Sequence, residues 1–224
     1  MILTALAVLP GALMVVYVYK KDWIEGEPKG LIALLLLLGA LSVIPVAIVE
    51  NILTNTFTGS SIFYCFIENF IFVALTEEFF KFLMLLTTWK NKAFDYQFDG
   101  VVYAVSVSMG FAIVENIMYV LLMGGLQTAL LRAITSIPGH ALFGLYMGHY
   151  YGKAKMAEKM KQPSLKRKNL CFAILIPVLL HGAYDFFAST NAFIFIVFVI
   201  VIEVYAFVNL KSYSKGDMPF PNIQ

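Results

Sequence analysis

The sequence contains few charged residues and almost no cysteine. Only 13% of its 224 residues are Asp, Glu, Lys or Arg, whereas 60% are hydrophobic. This charged fraction is too small to cover a surface that faces water, which excludes a soluble globular protein. Cys65 and Cys171 fall near opposite ends of apolar segments and are predicted to face opposite sides of a membrane, which excludes a disulfide framework. The composition therefore predicts an integral membrane protein.

Long apolar runs fill most of the chain. Each has close to the roughly 20 residues that an α-helix needs to cross the hydrocarbon core, and polar, glycine-containing or basic intervals separate them. They predict an all-α fold, a polytopic membrane helix bundle with seven spans, at residues 2–19, 31–49, 62–89, 100–123, 128–151, 170–188 and 192–210. Because no internal repeat or separate soluble segment divides these runs, residues 1–224 are interpreted as a single integral membrane domain.

Basic residues alternate from one loop to the next. They concentrate in residues 20–29, 90–92, 153–168 and 211–215, and they are absent from residues 50–61, 124–127 and 189–191. Because lysine and arginine accumulate in cytoplasmic loops, this alternation predicts an N-terminus outside and a C-terminus in the cytoplasm. The basic loop at residues 152–169 is expected to contact anionic lipid headgroups rather than nucleic acid.

A small set of polar side chains interrupts the apolar spans. A charge at the centre of a span costs about 2.5 to 3.5 kcal/mol on insertion scales, so each of these groups calls for a partner or a function. Counted from the cytoplasmic helix ends, the diacid and both histidines lie roughly 15 to 17 Å deep. Equal depth predicts one internal site, with a second polar layer farther out. The set consists of Glu77, Glu78 and Lys81 in the third span, Glu115 and Asn116 in the fourth, His140 in the fifth, and His181 and Asp185 in the sixth.

Spacing within the third span indicates how its three charges interact. Glu77 and Glu78 lie four and three residues before Lys81, so the ammonium can reach either carboxylate. The two glutamates point about 100° apart around the helix, and both can face the interior only if the polar wall is wide. A lysine that neutralises one glutamate leaves the other as a candidate general base.

Each polar group also has a structural interpretation. The diacid and its lysine can form a salt bridge that joins helices, and a single histidine can be a packing residue. Glu115 and Asn116 are explained nearly as well by hydrogen bonds between helices. Arg132, near the outer end of the fifth span, is interpreted as interfacial. The presence of the diacid and two histidines at one depth favours a functional site.

Four short motifs carry these residues. They are Glu77-Glu78-x-x-Lys81, Glu115-Asn116-x-x-Tyr119, His140 within the segment Pro138 to Gly144, and His181-x-x-x-Asp185. Together, over residues 70–187, they resemble the PrsW family of bacterial intramembrane proteases. More distantly, their order is similar to that of the type II CAAX prenyl endopeptidases. Those enzymes usually have phenylalanine where Ser136 stands and often have asparagine where Asp185 stands, which favours the PrsW family.

The resemblance implies hydrolysis of a peptide bond within or beside a bacterial cell membrane. In PrsW proteins the substrate is a single-span anti-sigma factor, cut on its extracytoplasmic side as the first step of regulated intramembrane proteolysis during envelope stress. The implied partners are a single-span membrane protein and membrane lipids. A site near the midplane agrees with that cut if a cavity opens outward past Glu115 and Asp185, or if the substrate helix unwinds into the bundle.

Resemblance to the CAAX enzymes also implies roles for the catalytic residues. Glu77 is the general base, His140 orients the water, Glu78 is tied to Lys81, and His181 with Asp185 stabilises the oxyanion. Helix geometry alone instead pairs the lysine with Glu77. This version needs no cofactor. A second version adds a zinc ion held by Glu77, His140 and His181, an accepted ligand set for an open catalytic site.

Functions of other classes remain open from the sequence. One alternative is a CAAX-type prenyl endopeptidase. A proton-coupled transporter would also place glutamate, lysine and histidine at midplane as a relay, although no inverted repeat is found. A membrane cytochrome would use His140 and His181 as axial haem ligands. Neither the transporter nor the cytochrome explains the adjacent glutamates as well as a hydrolase does.

Overall fold

Helices form almost the whole structure. The computed structural model describes residues 2–221, and this part of the chain is all-helical, as predicted. Residue 1 and residues 222–224 of the predicted single domain lie outside the described range. π-Helical segments, Glu68–Leu75 and Val120–Gly124, join α3 to α4 and α5 to α6. The α-helices are α1 (Ile2–Tyr19), α2 (Lys29–Thr56), α3 (Ile62–Ile67), α4 (Thr76–Leu85), α5 (Asp99–Tyr119), α6 (Gly125–Ile134), α7 (Ser136–Lys159), α8 (Pro163–Thr190) and α9 (Ala192–Lys215).

The central helix of the bundle is α5. Every residue from Asp99 to Ala112 is buried, as expected for a helix that is enclosed on all sides and has no polar face. The helix packs against α7, α2 and α1. This enclosure fixes the position of Glu115 and Asn116, which lie one turn beyond the fully buried stretch.

Glycines allow α5 to contact its neighbours backbone to backbone. A Cβ atom on Gly110 would lie 2.0 Å from the carbonyl oxygen of Leu36 in α2. On the other side, a Cβ atom on Gly148 of α7 would lie 2.2 Å from the carbonyl oxygen of Gly100. Close packing of this kind holds helices together in a membrane, where lipid tails are as apolar as the side chains.

Within residues 2–221, four helices are long and apolar enough to cross a membrane. They are Lys29–Thr56, Asp99–Leu122, Pro163–Thr190 and Ala192–Lys215. Large apolar side chains on their outer surfaces, such as Leu37, Ile44 and Val204, are exposed, which is expected where a helix faces lipid. Both cysteines are free. The count of seven spans stays a prediction.

The fifth predicted span, residues 128–151, is not one continuous helix. It divides at Thr135, whose φ of −122° and ψ of −59° depart from helical geometry, into α6 and α7. Pro138 stands in the first turn of α7, where its missing N–H leaves no helical hydrogen bond unmade. The prediction of an unbroken span was therefore wrong. Proline is favoured in the first turn of a helix, so Pro138 marks the start of a new helix.

The basic segments of the chain meet at one end of the bundle. Ser214 Oγ donates a hydrogen bond to the carbonyl oxygen of Lys21 at 2.5 Å, and Lys155 Nζ donates to that of Trp89 at 2.7 Å. We call this end the basic face, formed by residues 20–29, 89–99, 153–168 and 211–221. Its composition agrees with the alternation of basic and non-basic loops.

Candidate active site

Four helices bring polar side chains into a single cluster. The structure connects all eight residues that the sequence singles out, and Arg132 joins them, through a network of hydrogen bonds and ion pairs. The eight are Glu77, Glu78 and Lys81 from α4, Glu115 and Asn116 from α5, His140 from α7, and His181 and Asp185 from α8.

A π-helical stretch precedes the two glutamates. Glu68–Leu75 has the wider turn, and α4 begins directly after it at Thr76. Such wide turns occur frequently at functional sites. Glu77 and Glu78 are 4% and 0% exposed, respectively. Both side chains therefore face the protein interior. The polar wall is thus wide enough to accept two side chains that point about 100° apart around the helix.

The ammonium of Lys81 lies between both glutamates. Its Nζ atom donates to Glu77 Oε2 at 2.9 Å and to Glu78 Oε1 at 2.8 Å. It also lies 3.2 Å from His140 Nδ1, which must accept because an ammonium only donates. The expectation that the lysine neutralises one glutamate and leaves the other free is therefore wrong. Three acceptors use the three ammonium protons.

The ring of His140 links this ion cluster to α5. Because Nδ1 accepts from Lys81, the neutral ring carries its proton on Nε2 and donates it to Glu115 Oε2 at 2.9 Å. Arg132 Nη2 donates to the same oxygen at 2.7 Å, and Arg132 Nε donates to Asn116 Oδ1 at 2.9 Å. Arg132 is thus part of the site, and its interpretation as an interfacial residue was wrong. Its planar guanidinium matches two neighbouring acceptors on one helix.

The ring of His181 gives the two glutamates different hydrogen-bond partners. Its Nδ1 atom lies 2.9 Å from Glu78 Oε1, and its Nε2 atom lies 3.2 Å from Asp185 Oδ2 and 3.9 Å from Glu77 Oε2. The contact with Asp185 is short but not aligned as a hydrogen bond. Within the described residues, Glu78 is therefore bonded to both Lys81 and His181, whereas Glu77 is bonded to Lys81 alone.

A cavity of about 780 Å³ opens beside the cluster. Glu77, His140 and His181 form part of its wall, whereas Glu78 and Lys81 are fully buried and lie outside its lining. Beyond the histidines the wall continues along helix ends that lie opposite the basic face. The cavity therefore runs from the diacid toward the end of the bundle opposite the basic face. The outer lining includes Glu115, Leu122, Leu131, Thr135, Asp185, Ala188 and Ala192.

Sequence reasoning missed Glu50 of α2. This carboxylate lines the cavity, and its Oε1 atom is buried without a hydrogen-bond partner. The sequence placed it in a loop because the apolar run ends at residue 49, but α2 continues to Thr56. The available signal was the apolar spacing that persists through Ile48 and Ile52, four residues apart.

Three residues of the cluster fit a metal ion. Donor atoms of Glu77, His140 and His181 lie within 4.8 Å of one another, and all three residues are buried. Two imidazoles and one carboxylate form the ligand set of many catalytic zinc sites. Each ring also has a nitrogen 2.9 Å from a carboxylate outside this set, the contact typical of zinc-bound histidine. The residues fit zinc if the Lys81 ammonium moves away from Glu77 and His140, the two members of the set that it contacts.

Residues 27–210, which include the whole cluster, match the family model described as PrsW family intramembrane metalloprotease. Protease PrsW of Oceanobacillus iheyensis is 41% identical over 215 residues, which cover 94% of this chain and 95% of that protein. The chain belongs to the PrsW family. Protease PrsW of Geobacillus kaustophilus is 39% identical over 184 residues, covering 82% of this chain and 78% of that protein. Protease PrsW of Bacillus subtilis is 35% identical over 181 residues, which cover 80% of this chain and 79% of that protein. No solved structure matches the chain.

Family membership makes the chain an intramembrane protease. It decides against the CAAX-type endopeptidase and the transporter as primary functions. It decides equally against the membrane cytochrome.

Proposed function

We propose that this PrsW-family protease cleaves a single-span membrane protein, with Glu77 as general base. Its substrate is an anti-sigma factor, cut on the extracytoplasmic side in the bacterial cell membrane as the first step of regulated intramembrane proteolysis. One observation carries the assignment of the base. Glu77 lines the cavity, whereas Glu78 is sealed behind it. A general base must reach the water that it activates.

The residues around the cavity supply each proton transfer of amide hydrolysis. Glu77 takes a proton from water, and the water oxygen attacks the scissile carbonyl carbon. His181 Nε2, which lies 3.9 Å from Glu77 Oε2, donates to the developing oxyanion when that nitrogen carries a proton. Glu77 then passes its proton to the leaving amine as the C–N bond breaks. Asp185, beside Nε2, holds the imidazole in place.

The remaining polar residues act as positioning groups. Glu78 fixes the ring of His181 through Nδ1, and Lys81 holds Glu77 at its Oε2 atom. His140 lies in the cavity wall, but both of its ring nitrogens already contact protein groups. We therefore assign His140 to orienting Lys81 and Glu115, and to orienting water only when one of these contacts is released.

A zinc ion gives a second version of the same site. Held by Glu77, His140 and His181, it would polarise the scissile carbonyl and lower the pKa of a bound water. The family description as a metalloprotease supports this version. Glu78 and Glu115 orient the histidine rings in both versions. Their positioning role is therefore the same with or without zinc.

The proposed topology has seven spans, with the N-terminus outside. Four helices meet the length and hydropathy expected of spans, and the helical segments at residues 2–19, 62–88 and 136–159 complete the count. The basic face then lies in the cytoplasm, since basic loops stay on that side. The cavity opens toward the opposite end of the bundle, which supports an extracytoplasmic cut.

The test is cleavage of a candidate anti-sigma factor, tagged at both ends and co-expressed with the protease. We expect the wild type to release a fragment and Glu77→Gln to lower its yield at least about 100-fold, the usual contribution of a general base. Glu68→Gln is the matched control, because Glu68 lies in the preceding π-helical segment and outside the cavity lining. Equal cleavage by wild type and Glu77→Gln, at equal protein levels, overturns the assignment.

A further inference from the structure

A second group of carboxylates lies on the basic face, far from the active site. Asp22 and Glu27 belong to the loop between α1 and α2, and Asp99 is the first residue of α5. One oxygen from each lies within 4.8 Å of the others. Along α5, Asp99 and Glu115 are separated by about 24 Å at 1.5 Å per residue. This second group, the loop carboxylates, is therefore distinct from the diacid site.

The loop carboxylates have oxygens that no protein donor satisfies. Glu27 and Asp99 are 2% and 0% exposed. Glu27 Oε1 and Asp99 Oδ1 are buried without a hydrogen-bond partner. Burying charged oxygens in this way is strongly unfavourable unless they are paired or bind a metal.

Protein donors fix the opposite oxygens of the same side chains. Asp99 Oδ2 accepts from the backbone N–H groups of Asp95 and Tyr96 at 3.0 and 2.7 Å, and Glu27 Oε2 accepts from the hydroxyl of Tyr103 at 2.5 Å. One oxygen of each carboxylate is thus held in place while the other stays free. Hydrogen bonds that orient ligating carboxylates are typical of metal sites.

Basic side chains do not neutralise these charges, although lysines surround the loop. In residues 2–221, no lysine, arginine or histidine nitrogen lies within ion-pair distance of Asp22, Glu27 or Asp99. The nearest lysine in sequence, Lys21, instead places its ammonium over the rings of Tyr17 and Trp23.

We propose that the loop carboxylates bind a hard divalent cation, Ca²⁺ or Mg²⁺. The free donors are all carboxylate oxygens, which these ions prefer. Oxygens on opposite sides of an ion are about 4.6 to 5.2 Å apart for Ca²⁺ and about 4.0 to 4.2 Å apart for Mg²⁺. Separations of no more than 4.8 Å lie within the span of a Ca²⁺ site, and Mg²⁺ would require separations at the short end of that range.

The cation would join two segments of the basic face directly and a third indirectly. Asp22 and Glu27 bring the α1–α2 loop, and Asp99 brings the start of the central helix. The C-terminal tail attaches to the same point, because Asp217 Oδ1 accepts from the backbone N–H of Phe98 at 2.8 Å. Binding would therefore stabilise the end of the bundle opposite the cavity.

The test is thermal unfolding of the purified full-length protein in detergent, after chelation and with Ca²⁺ or Mg²⁺ added back. At a hundredfold excess over Kd, we expect the unfolding temperature to rise by about 5 to 11 °C. The rise should be lost in Glu27→Gln and Asp99→Asn. It should persist in Glu25→Gln, which removes an exposed carboxylate from the same loop, and in Glu77→Gln, which disrupts the active-site ligand set instead.

The two ions form separate arms of the experiment. A rise with either ion alone, or with both, supports the site and identifies its preference. If neither ion at millimolar concentration raises the unfolding temperature, or if the rise persists in both loop variants, the proposal is overturned. Should these variants fail to accumulate, equilibrium dialysis of the Glu77→Gln protein with radioactive Ca²⁺ and competing Mg²⁺ decides. One ion per chain is expected, and no binding refutes the site.

Discussion

Replacing Lys81 with methionine removes the ammonium that bonds to both glutamates of the active site. Methionine has a similar length, so the change removes a charge and leaves little empty space. Glu77 and Glu78 would then be two neighbouring buried carboxylates, and Nδ1 of His140 would lose its donor. We expect loss of both stability and proteolysis.

The magnitude follows from the burial of the lysine. Lys81 is 0% exposed, and removing one partner of a buried ion pair costs about 3 to 5 kcal/mol because the other charge is left unpaired. In a domain of this size each kcal/mol lowers the unfolding temperature by about 2 to 4 °C. The unfolding temperature of Lys81→Met should therefore fall by about 6 to 20 °C. Part of this loss should be recovered in Lys81→Met combined with Glu78→Gln, which has one buried carboxylate fewer.

The assay is thermal unfolding of the purified variants in one detergent. Lys92→Met is the matched control, since it makes the same substitution at an exposed lysine and should leave the unfolding temperature unchanged. A Lys81→Met protein that unfolds within about 2 °C of the wild type, less than one kcal/mol of change, would refute the reasoning. So would a double variant less stable than the single one, because the loss would then not arise from unpaired carboxylates.

Three further predictions concern other parts of the structure. Arg132→Lys should lower the cleavage rate although it keeps the charge, because one ammonium cannot reproduce the guanidinium that bonds both Glu115 and Asn116; a rate equal to that of the wild type would contradict this. Gly110→Ala should prevent accumulation in the membrane, because its Cβ would lie 2.0 Å from a backbone oxygen, whereas Gly30→Ala, with open space around it, should accumulate normally on an immunoblot. If zinc occupies the active site, exhaustive chelation should abolish cleavage by the purified protein and added zinc should restore it; activity that survives chelation rejects the metal version.

The active site and the loop carboxylates lie toward opposite ends of the same central helix. α5 carries Asp99 at its first turn and Glu115 near its last. Because this helix is enclosed by α1, α2 and α7, its position depends on packing along its whole length. The protein thus keeps one polar cluster beside the cavity and a separate acidic cluster on the basic face, and one buried helix joins the two.

Much of the architecture was predictable from local patterns. Apolar runs about as long as the hydrocarbon core is thick indicated the helices, and the high cost of intramembrane charge singled out the glutamates and histidines. The errors occurred where a local pattern permits two outcomes. Pro138 is compatible with one continuous apolar span and also with the start of a new helix. Glu50 could equally continue a helix or begin a loop.

The sequence by itself determined that the chain is helical, that it belongs in a membrane, and that eight polar residues of its spans form an internal site. Only the tertiary structure decided how those residues are paired. Lys81 bonds both glutamates, Arg132 joins the site, and Glu77 rather than Glu78 faces the cavity. The physical reason is that composition and spacing fix the cost and depth of a polar group along its own helix. Which partner it meets depends on the rotation of that helix and on the side chains of others distant in sequence.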